Sequence, residues 1–105
     1  MPKYLWQVSY TAQGTHGLLH EGGTSRREFV SKLVSDLGGH IETFYYAFGT
    51  TDVIVIAEVP DEATAAAISL VVGASGAATI STTVLLDPEL IDQATHKSIP
   101  YRPPT

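Results

Sequence analysis

Phe44-Tyr45-Tyr46-Ala47-Phe48-Gly49-Thr50-Thr51-Asp52-Val53-Ile54-Val55-Ile56-Ala57-Glu58-Val59 holds two apolar runs separated by four turn-forming residues. The first run begins at His40 and reads as a strand to Phe48, dense in aromatic rings. The second, Val53 to Val59, is almost continuously aliphatic. Two strands joined through Gly49-Thr50-Thr51-Asp52 are expected to pair as an antiparallel hairpin. Upstream, Ser25 and Glu28 have the spacing of a capping box, and Val30, Leu33, Val34 and Leu37 then recur at helical intervals up to Gly38-Gly39. Downstream, Pro60 ends the strand and Asp61 can cap a helix through about Val72, with Ala63, Ala66, Ala67, Leu70 and Val71 along one face.

Each helix leads to or from a further strand. Tyr4 to Thr11 alternates Tyr4, Trp6, Val8 and Tyr10 against Leu5, Gln7 and Ser9, and Thr79 to Leu86 is rich in Thr, Ile and Val. Between Ala12 and Gly23, four glycines argue for a loop with a short helical turn near Thr15 to Glu21. Asp87-Pro88 opens a last short helix, and Ile99 to Thr105 reads as an extended tail. The order β-α-β-β-α-β over residues 1–105 is that of one α+β domain of ferredoxin-like topology, a four-stranded antiparallel sheet with helices on one face. Both alternating sets of the first strands carry large apolar residues. The face away from the helices therefore calls for a cover, which a second copy of the sheet supplies most simply.

Composition points the same way. Apolar residues make up 44% of the chain and charged ones 16%, against the usual quarter or so, which leaves more apolar surface than one small core hides. The net charge of −5 and a single basic doublet, Arg26-Arg27, argue against nucleic-acid binding. No segment approaches the ~20 apolar residues that span a bilayer, and the N-terminus lacks the features of a signal peptide. With no cysteine, disulfides and thiolate chemistry are excluded, in keeping with a reducing, cytoplasmic setting.

Lys3-Tyr4 through Tyr10-Thr11, Gly22-Gly23-Thr24-Ser25-Arg26-Arg27-Glu28 and Phe44 through Asp52 together resemble the GYD domain family, which is assigned to the dimeric α/β-barrel superfamily. The resemblance implies a ferredoxin-like fold with paired sheets and implies little about chemistry. It departs from the family at the naming motif, Gly-x-Tyr-Asp: Gly49 and Asp52 match, while Thr51 stands in the tyrosine position.

Several residues are candidates for function. Trp6, Tyr10, Phe44, Tyr45, Tyr46 and Phe48 can line an apolar pocket for a flat ligand, with Trp6 and Tyr46 contributing polar tips, or can simply fill the core. Asp52 is a general base if buried, or an acceptor for the turn's own backbone. Gly22 to Arg27 places N–H groups and a guanidinium, Arg26 or Arg27, where an anion can bind, beside the plainer reading of a helix cap. His16 and His20, four apart, make a weak metal pair with Glu21 or His40 as a third ligand, against two solvated surface histidines. The set expected to touch a ligand is Trp6, Tyr10, Tyr46, Asp52 and Arg26, with no cofactor. The leading function is a homo-oligomeric domain that binds a small apolar or aromatic molecule. The alternatives are a cofactor-independent oxygenase or isomerase using Tyr46, Asp52 or a histidine, and a purely structural self-assembling domain.

Overall fold

A computed structural model describes residues 1–105. Its elements are β1 (Lys3–Tyr10), α1 (Ala12–Glu21), α2 (Gly23–Asp36), β2 (His40–Tyr46), β3 (Val53–Glu58), α3 (Glu62–Ala74), β4 (Ala78–Leu85) and α4 (Pro88–Thr95). The strands form one antiparallel sheet in the order β2-β3-β1-β4, which is the ferredoxin-like arrangement with an added helix in each terminal half. β1 is central. It pairs with β3 from Lys3–Glu58 to Val8–Val53, and with β4 from Lys3–Leu85 to Tyr10–Ala78.

The pleat sends Tyr4, Trp6, Val8 and Tyr10 to the side where Val53, Val55, Ala57, Ile41, Phe44, Tyr46 and Ile80 also lie. Val34 of α2 and Ala65 of α3 close over them to make the core. The opposite face carries Leu5, Ile54, Ile56 and Tyr45 with no helix above it. A bulge in β2 adjusts this sorting. Ile41 faces Ala57 while Thr43 faces Ile56, so Glu42 is an extra residue, and Phe44 and Tyr46 stay on the covered side with Ile41.

The structure corrects several local expectations. The Ala12–Gly23 stretch is a full ten-residue helix, not a loop with one turn. Thr11 caps it, its Oγ1 accepting from the Gly14 N–H at 3.3 Å and donating to the Gly76 carbonyl at 2.8 Å. Gly14 is the close-approach residue: a Cβ there would collide with the Ala77 carbonyl oxygen. The Ser25–Glu28 capping box does not form, because α2 begins earlier, with Gly22 (φ 88°) as its N-cap and no side-chain cap. Ser25 instead donates to Glu21 at 3.3 Å.

At the far end of α2, Gly38 (φ 88°) donates to the Ser35 carbonyl and Gly39 to that of Val34, both at 3.0 Å. This closes the helix as the Gly-Gly pair promised. β2 stops at Tyr46, so Ala47 and Phe48 join a longer connection, in which Phe48 takes φ 55°. In α3 the apolar face of Ala63, Ala66, Ala67, Leu70 and Val71 is turned outward. Ala65, Ile68, Ser69 and Val72 face the sheet, while Leu70 and Val71 are 73% and 71% exposed. An α-helix that is apolar almost all round gives its sequence no preferred side, and packing against β4, with Ser69 bonded to Thr82, settles which side faces inward.

Every residue from Leu86 to Thr105 is exposed, and α4 makes no substantial packing contact with another element. The radius of gyration, 16.7 Å against about 13 Å for a compact chain of this length, and a long dimension of 55 Å reflect that projecting arm. Only ten residues are buried, so the core is thin.

Candidate functional site

One end of the sheet, where β1 and β2 finish and β3 starts, meets the junction of α1 and α2. The expected ligand-binding residues Tyr10, Tyr46, Asp52 and Arg26 converge there. Asp52 accepts the Tyr10 N–H at 2.7 Å, while its own N–H donates to the Val8 carbonyl at 2.9 Å. The hairpin connection is thereby bolted across the end of β1, with the Ala47 N–H donating to the Asp52 carbonyl at 2.9 Å. One carboxylate oxygen is engaged by the end of β1, and not by the turn's own backbone as the sequence reading offered.

Tyr46 donates from its hydroxyl to the Gly23 carbonyl at 3.0 Å, and Gly23 leaves room for its ring. Phe48 stacks on Tyr46 at 6.0 Å between centroids, and Phe44 meets it edge-on at 5.5 Å. Burial is the main cause that pushes the phenols of Tyr10 and Tyr46 above their ordinary range. Tyr46 adds to the effect at Tyr10, and the Arg26 guanidinium opposes it at both. Both phenols stay protonated at neutral pH, and that of Tyr46 donates to Gly23. Arg26 lies 4.8 Å above the Phe29 ring and 4.0 Å from Glu21, so the guanidinium borders this corner from α2.

Trp6 lies deeper in the core, 3% exposed and stacked on Tyr4 at 6.3 Å. Its Nε1–H is buried without a partner in the protein. Next to Tyr46 the surface opens into two shallow hollows of about 320 and 330 Å³ that share Arg27, Phe44 and Tyr45. Together they form a trough between α2 and the outer edge of β2, running from Gly23 and Thr24 to Ser31 and Ile41.

His16 and His20 are both exposed on α1, and His40 lies apart from them on β2. The group with metal-ligand proximity is a different one: His40, Glu42 and Glu58 at the other end of the open face, their ligand atoms within 4.8 Å. Lys3 occupies the same cluster, 3.0 Å from Glu42, and His40 Nε2 is 3.5 Å from Glu58. The Glu42 carboxylate is the main cause that raises the Lys3 pKa, so the ammonium acts as this cluster's cation. Reading the sequence missed this group because only strand register places Glu58 beside residues 40 and 42.

No helix is long and apolar enough to cross a membrane. No curated protein and no solved structure matches the chain. The sequence profile described as GYD domain matches residues 4–95, from the first core strand to the end of α4, and its motif hairpin is the one that Asp52 fastens to β1. The chain belongs to the GYD domain family.

Proposed function

We propose that this domain is a homo-oligomeric binding module that takes a small, flat, apolar or aromatic molecule at the corner formed by Tyr10, Tyr46, Phe48 and Arg26. The observation that carries this reading is the convergence of stacked rings, two protonated phenols and a guanidinium at one corner, beside the hollow that Tyr46 lines. Rings give area for a planar ligand, and the few polar tips orient it. The unpartnered Trp6 Nε1–H adds a buried donor in the core, since such orphans are rare and cost about 1–3 kcal/mol. Self-association draws its support from the uncovered face bearing Leu5, Ile54, Ile56 and Tyr45.

Binding is better supported than proton-transfer catalysis. Asp52 is engaged with the Tyr10 N–H, and the two phenols are held in their protonated form. Calorimetric titration with a set of planar aromatic carboxylates and their neutral amides tests the reading. Tyr46→Ala is expected to weaken binding about tenfold or more, on the scale of one aromatic contact plus its burial. Arg26→Gln is expected to weaken the carboxylates and spare the amides. Absence of binding across the whole set would leave the domain to assembly alone.

A further inference from the structure

The trough along β2 is an open aromatic surface, and the C-terminal tail is exposed along its whole length. The trough is lined by Phe44, Tyr45 and Tyr46, with Arg27 along its α2 side and Glu42 at one end. It follows an edge strand whose outer backbone groups are unpaired, a feature that stable proteins cover or blunt. Tyr45 is 69% exposed.

The tail, Ile99 to Thr105, contains Pro100, Pro103 and Pro104, which fix their own φ and push Ile99 and Arg102 toward extended conformations. A single short turn interrupts it, in which Tyr101 N–H donates to the Ile99 carbonyl at 2.8 Å. Its ordering cost on docking is therefore small, and proline-containing extended segments are suited to aromatic-lined grooves. The lengths agree as well. Residues 41 to 46 of β2 span about 20 Å at strand rise, and seven tail residues span about 20 Å at polyproline rise. Charge does not decide the fit, because Arg27 lines both hollows and Glu42 is paired with Lys3 at 3.0 Å, so rings, prolines and length carry it.

The tail belongs to a chain that leaves the sheet from β4, the edge opposite β2, and extends away from the body. We infer that the β2 trough receives residues 99–105 of a second copy of this chain, exchanged reciprocally about a two-fold axis. The inference rests on the self-association proposed above and names the segment that fastens it. A closed two-fold exchange uses both troughs and both tails and leaves no open end. It also seats the partner's tail beside Tyr46, where it forms one wall of the aromatic corner.

The absence of cysteine makes the test clean. Full-length Thr105→Cys is mixed with full-length Thr24→Cys or Ser31→Cys, on the trough, or with Leu70→Cys, on the outer side of α3, and treated with a short bis-maleimide. The expected result is a heterodimeric band at twice the chain mass with a trough cysteine and not with Leu70→Cys. Tyr101→Ala in the tail-bearing partner should lower its yield about fivefold, the scale of one aromatic contact. Equal crosslinking to Leu70→Cys, or a trough crosslink found only within a doubly substituted single chain, would overturn the exchange. Sedimentation of the same samples separates the two ideas. A dimer without the crosslink removes the tail exchange and keeps self-association, and a monomer removes both.

Discussion

Asp52 is the residue on which the motif hairpin depends. Its carboxylate is the acceptor for the Tyr10 N–H, a part-buried bond at 2.7 Å between parts of the chain that lie far apart in sequence. Removing an acceptor and leaving a shielded donor unpaired costs about 1–3 kcal/mol. Asp52→Ala is expected to lower stability by about that amount in urea unfolding, while Asp52→Asn, which keeps an oxygen in place, should recover most of it. Tyr10 and Tyr46 make a second prediction at this scale. Their folded pKa values lie above the reference value of 10.0. The folded state therefore binds more protons than the unfolded one once pH exceeds about 10, and stability falls as pH rises from there through the folded values. The stabilisation is fully present below pH 10. In the Tyr10→Phe, Tyr46→Phe double variant, the alkaline limb of unfolding measured between pH 9 and 12 should be shallower than in the parent chain.

Helix α1 shows how one element forms against its own composition. Ala12 to Glu21 contains two glycines, each costing a helix interior up to about 1 kcal/mol relative to alanine. Anchoring offsets that cost. Thr11 N–H donates to the Ala77 carbonyl at 3.0 Å, Thr11 Oγ1 reaches Gly76, and Gly14 fits closely beneath Ala77. Helix propensity alone would make Gly14→Ala stabilising, whereas the contact makes it overpacked. The expected effect is a loss of about 1–3 kcal/mol in thermal or urea unfolding. Gly17→Ala, in the same helix with open space around its Cα, is expected to be neutral or stabilising. Opposite signs for two glycines three residues apart would separate tertiary contact from local propensity. The outward Leu70 and Val71 of α3 belong to this scale as well, because a helix of alanines and aliphatics packs on whichever side its contact with β4 settles.

At the scale of the molecule, the sheet has one helix-covered face and one bare face. Leu5, Ile54 and Ile56 are adjacent on the bare side through the pairings Leu5–Ile56 and Gln7–Ile54. On the proposed pairing of sheets through this face, a charge at its centre should oppose association directly. Ile56→Lys is expected to shift sedimentation from dimer to monomer at micromolar concentration, with the far-ultraviolet dichroism of the folded domain retained. A parent chain that sediments as a monomer under those conditions would contradict the pairing of sheets.

Much of the architecture was legible from the residues alone, because it rests on local periodicity and local breakers. Period-two alternation in Tyr4 to Tyr10, the paired runs about Gly49 to Asp52, the Asp61 cap and the Gly38-Gly39 stop each act within a few residues of themselves. They fixed the element order and hence the sheet topology. The tertiary structure decided what depends on residues far apart in sequence: the Gly14–Ala77 contact that makes a glycine-containing loop helical, the bulge at Glu42, the rotation of α3, and the partner that Asp52 finds in Tyr10. The site divides along the same line. Its aromatic content was written in the chain, but the meeting of Tyr10, Tyr46 and Arg26 at one corner, and the gathering of Lys3, His40, Glu42 and Glu58 at another, follow from strand register and helix docking. Sequence spacing carries periodicity within an element, and it carries no distance between elements until packing sets one.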